Sequence, residues 1–401
     1  MNKQQYLTEI GVGTNSRRTS MCARIRFAAP QLRNWIFSLD QIPRSCRMDL
    51  LSGQYAKTPA IIASAGPSLE ADLPALKAAL GKSLIFAVDS IHDMLLASGI
   101  RPHITCTIDQ QAIAMRKFAA TRYDGNLIYA PGAHPYNIRR FSQPFLGFYR
   151  DDFNAGVARW LGLNFNSYLS TTAVSQFALQ QAVLLGCRPI YLVGCDLAVT
   201  PSRSHVSGVA HRANDAELKS RYHLTAPANR TSGKVMTDEI FNFQAESYEE
   251  FVRSQRKVRP KSRIALINCS GGRKIEGAEY RPLAEVVGGM RGLEIDVEME
   301  LAKRAAAQSQ IAIPSTFGGR MLDPILTAAN LEAGWQHVSG KTPDLRAENA
   351  WVKTMISSDL ADAKANRGDL DMFDGWIKTR REQVSPLGHV WLDALGYAGD
   401  R

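Results

Sequence analysis

The sequence predicts an α/β protein: a parallel-rich, Rossmann-like doubly wound sheet with helical N- and C-terminal flanking segments. Three observations predict it. Short apolar runs recur at 60–64 (AIIAS), 84–88 (LIFAV), 104–108 (ITCTI), 127–130 (LIYA), 190–194 (IYLVG) and 264–268 (IALIN), with the composition of strands buried on both faces. Helical patterns lie between several of them, an alternation that sets parallel strands side by side. Polar residues cluster at the ends of the runs, where such sheets hold their ligands.

The first run ends in Gly66-Pro67-Ser68. Pro74 is expected in the first turn of the following helix, so a loop is predicted through about residue 72. Such a loop turns the Gly66 and Ser68 amides and the Ser68 hydroxyl towards the crevice, as a phosphate-binding turn would. The second run ends in Asp89-Ser90 and leads into IHDMLLASG, a helix with a terminal glycine; Asp89 is either its cap or a site residue. The third run ends in Asp109-Gln110. TTAVSQFALQQAVLLG predicts a helix capped by threonine, buried through Val174, Phe177, Ala178 and Leu185, and stopped at Gly186. The next run ends in Gly194-Cys195-Asp196, and the last in Asn268. Thr237 is a helix-cap candidate, and Gly271-Gly272 is either a close backbone approach or an ordinary loop.

With 401 residues, 45% hydrophobic and 21% charged, the chain has room for two or three domains. The pattern divides it into an N-terminal flanking segment (1–57), an α/β core (58–285) and a mainly helical C-terminal region (286–401). No window approaches the roughly 18 apolar residues of a spanning helix, and the start lacks the apolar core of a secretory signal, so a cytoplasmic location without a membrane span is expected. The net charge of +10 suits a polyanionic partner. The basic clusters at 17–26 and 253–263 lack interleaved aromatics, which argues against nucleic acid. Six scattered cysteines without a CxxC pair are expected as buried free thiols, and no metal site is predicted. Neither GxGxxG nor GxxxxGK[ST] occurs, which argues against a standard dinucleotide site and a P-loop.

The blocks ASAGPSL, AVDS…LLASGIRPHITCTIDQQ and STTAVSQFALQQAVLLGCRPIYLVGCDLA resemble the MptE-like superfamily over about residues 58–280. That superfamily includes 6-hydroxymethylpterin diphosphokinases and the central domain of motility-associated (Maf) flagellin glycosyltransferases. The GPSL block is also similar to bacterial sialyltransferases that use CMP-sialic acid, although Ser64 stands where those enzymes carry Asn. The resemblance implies a nucleotide-dependent transferase. Gly66, Pro67 and Ser68 would hold the phosphate side, Asp109 would lie near the nucleotide, Thr171 and Thr172 would cap a helix facing the ligand, and Gly194 and Asp196 would line the site.

Two reactions follow from the resemblance. Glycosyl transfer from a CMP-activated sugar of nonulosonic acid type, to a protein or glycan acceptor, requires a general base and no cofactor. Here the loop after Asp196 supplies His205 and His211, of which His205 lies nearer the strand end. Pyrophosphoryl transfer from ATP requires Mg²⁺, for which Asp89, Asp109 and Asp196 are the available carboxylates. A non-catalytic nucleotide-binding module of a surface-assembly or phage-borne protein is the third reading.

Overall fold

The structure is a computed structural model. It describes Gln31, Asn34, Trp35, Ser38 and residues 41–312, except 121, 150–153, 156, 159–160, 164–170, 172, 200–204, 208–223, 259–264, 295 and 309. In chain order the strands are β1 (Cys46–Arg47), β2 (Ala60–Ala63), β3 (Leu84–Val88), β4 (Ile104–Thr107), β5 (Tyr123–Tyr129), β6 (Phe141–Leu146), β7 (Ile190–Val193), β8 (Leu224–Pro227), β9 (Lys234–Thr237), β10 (Leu266–Asn268) and β11 (Glu279–Tyr280). Nine form one sheet in the order β1-β6-β5-β4-β3-β2-β7-β10-β11. Every pair in it is parallel, while β8 and β9 form a separate antiparallel ribbon.

Helices cover both faces because the strands are apolar on both. The seven described are α1 (Leu69–Ala78), α2 (His92–Ala97), α3 (Pro135–Arg139), α4 (Val174–Leu185), α5 (Glu239–Val258), α6 (Leu283–Gly288) and α7 (Val297–Ala306). Ala60, Ile62, Phe86 and Ile128 pack with Phe177, Ala178 and Ala182 of α4, Tyr248 and Phe251 of α5, and Leu301 of α7. Ile61, Ala63, Ile85 and Val193 pack with Leu69 and Leu76 of α1, Leu95 of α2 and Val286 of α6. Each fully buried side chain of this size contributes about 1.5–3 kcal/mol. The Rossmann-like doubly wound sheet is as predicted. It extends beyond the expected core, since β1 pairs with β6 and Leu301 and Ala305 of α7 pack into the same hydrophobic cluster.

Three local expectations are corrected. Helix α1 begins at Leu69, with Pro74 inside it rather than in its first turn. Helix α4 has Ala173, not a threonine, at its N-cap. At α5 the capping side chain is Asp238, whose Oδ1 accepts from Phe241 N–H at 2.7 Å, while Thr237 Oγ1 donates to Leu197 O at 2.9 Å. Five cysteines (Cys46, Cys106, Cys187, Cys195 and Cys269) are buried free thiols, as expected; Cys22 lies outside the described residues. No helix among the described residues is long and apolar enough to cross a membrane.

From β2 the sheet grows in one direction through β3, β4, β5 and β6; β7 then lies on the opposite side of β2. The order therefore reverses between β2 and β7, and a crevice opens beyond their carboxyl ends.

Candidate functional site

The crevice is a cavity of about 220 Å3 lined by the ends of β2, β3 and β7, the start of α4 and one face of α5. Gly66, Asp89, Gly194, Asp196 and His205 are all among its lining residues. Pro67, Ser68, Asp109 and Thr171 are not, and Thr172 and His211 lie outside the described residues.

The Gly-Pro-Ser turn has a different use from the one expected. Gly66 N–H donates to Gly194 O at 2.7 Å. Ser68 N–H and Oγ donate to the Asp196 carboxylate at 2.7 and 2.5 Å, and the Gly271 and Gly272 amides reach its Oδ1 at 3.0 and 3.1 Å. Asp196 is only 4% exposed, so four donors satisfy a nearly buried anion, and the loop receives an internal carboxylate where a phosphate was expected. Through these bonds Asp196 ties the end of β7 to the Gly-Pro-Ser turn and to Gly271-Gly272. The glycines permit this. A Cβ on Gly66 would lie 2.5 Å from Gly194 O, one on Gly194 2.3 Å from Ser64 O, and one on Gly272 2.0 Å from Asp196 O. Gly271-Gly272 is thus a close backbone approach, and a β-branched side chain at Gly66 is incompatible with these strand ends.

The start of α4 and Ser64 also line the cavity. Ala173, Val174 and Ser175, at the start of α4, line the cavity. Thr171 Oγ1 donates to Ala173 O at 2.8 Å, so it braces the turn before the helix without capping it. Ala60 and Ile62 of β2 face α4, so the alternation of side chains along the extended chain puts Ser64 on the same side. Its hydroxyl is buried with no hydrogen-bond partner among the described residues, and the residue lines the crevice. Sequence reasoning missed Ser64 as a donor, although its departure from Asn pointed to this position.

Asp89 and Asp109 are joined through Lys117, another residue the sequence did not mark. Lys117 Nζ lies 3.0 Å from Asp89 Oδ1 and 2.9 Å from Asp109 Oδ2. Thr107 Oγ1 donates to Asp89 Oδ2 at 2.7 Å, and Gln111 N–H to Asp109 Oδ1 at 3.2 Å. Burial pushes the Asp89 carboxyl above the usual range despite Lys117. At Asp109 burial pulls upward, but the Lys117 ammonium outweighs it and holds the carboxyl below its usual value. Burial alone would depress the Lys117 ammonium, yet the two carboxylates raise it above the ordinary lysine value. These aspartates do not fit a Mg²⁺ centre: two share an ammonium, and the third is filled by N–H and O–H donors. Among the described residues no group of three His, Cys, Asp or Glu is placed to hold a metal ion.

His205 also lines the cavity, and the next residue fixes its segment to the Gly-Pro-Ser turn through Val206 N–H to Ala65 O at 2.8 Å. Cys195 also lines the crevice, but burial pushes its thiol up to about 12, which removes a thiolate nucleophile near neutral pH.

Residues 33–202 match the family described as 6-hydroxymethylpterin diphosphokinase MptE-like. No curated protein matches the sequence. Among solved structures, the Maf glycosyltransferase from Magnetospirillum magneticum AMB-1 is similar at 17% identity and a TM-score of 0.50, over 94% of this chain and 54% of that one. This chain thus spans about half the length of that protein. The family match agrees, over those residues, with the MptE-like resemblance of the sequence blocks, and the solved structure shares the fold.

Proposed function

We propose that this chain is a nucleotide-dependent transferase that binds an activated donor in the β2/β7 crevice. The favoured reaction is glycosyl transfer from a CMP-activated sugar of nonulosonic acid type to a hydroxyl of a protein or glycan acceptor. The observation that carries this reading is the pairing of an unpartnered Ser64 hydroxyl and the α4 N-terminus with strand-end aspartates already engaged by protein donors. The first two supply phosphate donors, and the third disfavours a Mg²⁺-dependent reaction.

In this reading the acceptor oxygen attacks the anomeric carbon as the bond to the CMP phosphate breaks. His205 takes the acceptor's proton, and the α4 amides and Ser64 Oγ receive the charge that develops on the departing phosphate. An imidazole with an unperturbed pKa of about 6.5 accepts a proton near neutral pH without large tuning.

The family description of residues 33–202 favours a second reading, transfer of pyrophosphate from ATP to a pterin alcohol. A thermal-shift panel separates the two, since a ligand at 100 times its Kd adds about 2.7 kcal/mol. Stabilisation by CMP or CTP in EDTA supports glycosyl transfer, and a requirement for Mg²⁺ with ATP supports the diphosphokinase. If nucleotide binds but no transfer is detectable with any donor, the chain is a binding module.

A further inference from the structure

We infer that Lys117 is the resident cation of the crevice: its ammonium takes the place between Asp89 and Asp109 that a divalent ion would take, and presents its remaining N–H to the ligand. The identity of that ligand as a nucleotide rests on the proposed function; the exclusion of the metal does not.

An ammonium carries three N–H donors. Two are directed at Asp89 Oδ1 and Asp109 Oδ2, at 3.0 and 2.9 Å, and among the described residues no third acceptor engages Nζ. Lys117 and Asp89 both line the crevice, with side chains 20% and 1% exposed, while Asp109, 26% exposed, does not line it, so the lysine is the more accessible of the two members that face a ligand there. The outer carboxylate oxygens are engaged too, by Thr107 Oγ1 and the Gln111 amide. All four oxygens of the pair therefore already face a proton donor. A Mg²⁺ ion needs oxygens at about 2.0–2.1 Å in near-octahedral array, so it would have to expel the ammonium from between them. The balance favours the lysine, which also neutralises a carboxylate that is almost fully buried.

The arrangement is tested by titrating the protein with Mn²⁺ and following water proton relaxation. Wild type is expected to show no saturable site that Asp109→Asn removes. Lys117→Met opens the pair and is expected to raise Mn²⁺ affinity at least about tenfold, a gain lost again when Asp109→Asn is added. A wild-type Mn²⁺ site abolished by Asp109→Asn overturns the inference, as does a folded Lys117→Met protein that gains no Mn²⁺ affinity. Should Lys117→Met fail to fold, the wild-type and Asp109→Asn titrations decide alone. In a separate arm, CMP affinity is expected to fall about tenfold in Lys117→Gln, equally in EDTA and in Mg²⁺; a fall confined to Mg²⁺ overturns the role of the lysine. Absence of CMP binding by wild type would count against the nucleotide reading and leave the metal titration to judge Lys117.

Discussion

At the residue scale, Asp196 and His205, both candidate site residues in the sequence, take different parts. The Asp196 carboxylate accepts from Ser68 and from two glycine amides, so its contribution is to hold three loops together. Hydrogen bonds to a charged group contribute about 1.5–3 kcal/mol each. Asp196→Asn is therefore expected to lower stability by about 3 kcal/mol or more in chemical denaturation, and an unchanged midpoint would return the residue to a catalytic role. His205 lines the cavity and is the proposed base. His205→Ala is expected to reduce turnover about 100-fold with donor affinity nearly unchanged; full activity in the variant would remove it as the base. The polar residues at strand ends were legible as a cluster because strand ends are where such sheets bind. Their partners were not legible: nothing in the spacing of Asp89, Asp109 and Lys117 announces that one ammonium joins two strands.

At the element scale, the apolar strands and the helix ending at Gly186 could be read from pattern alone, because burial on both faces and a positive-φ stop leave direct traces in the sequence. Strand β6 could not, since Gln143 and Pro144 interrupt its apolar run. Helix caps were misread: α4 has Ala173 at its N-cap, with no capping side chain, and at α5 Thr and Asp satisfy the same local signal, so that only the tertiary contact selects one. At α5 the selection is explicit: Thr237 is drawn to Leu197 O, leaving Asp238 to cap. Asp238→Ala should accordingly cost about 1 kcal/mol and Thr237→Val less at the helix terminus. Amide exchange in the first turn of α5 reports this directly, and unaltered protection in Asp238→Ala would contradict it.

At the scale of the whole molecule, two histidines link the sheet to pH. His92 is buried among Phe118, Tyr123 and Phe141, with Nδ1 2.7 Å from Thr105 Oγ1, and His103 Nδ1 accepts from Ile85 N–H at 3.0 Å. Burial lowers both to about 4. The unfolded chain then binds more protons than the folded one between the ordinary histidine value and that level. The stability they confer is fully present above about pH 6.5 and is lost as pH falls towards about 4, by up to about 3 kcal/mol for His92. Urea midpoints measured at about pH 7 and about pH 5 should fall with acidity, and a flat profile would contradict the burial of these rings.

The reversal of strand order between β2 and β7 opens the crevice onto which the start of α4, Ser64, Lys117 and His205 converge. The account's central claim is that this crevice receives a nucleotide phosphate without a bridging metal. A crystal structure of the protein with CMP, grown in EDTA, tests it most directly. The account predicts the phosphate within about 3 Å of the first amides of α4 and of Ser64 Oγ. CMP bound elsewhere, or in this crevice only through a divalent ion on Asp89 or Asp109, would contradict it.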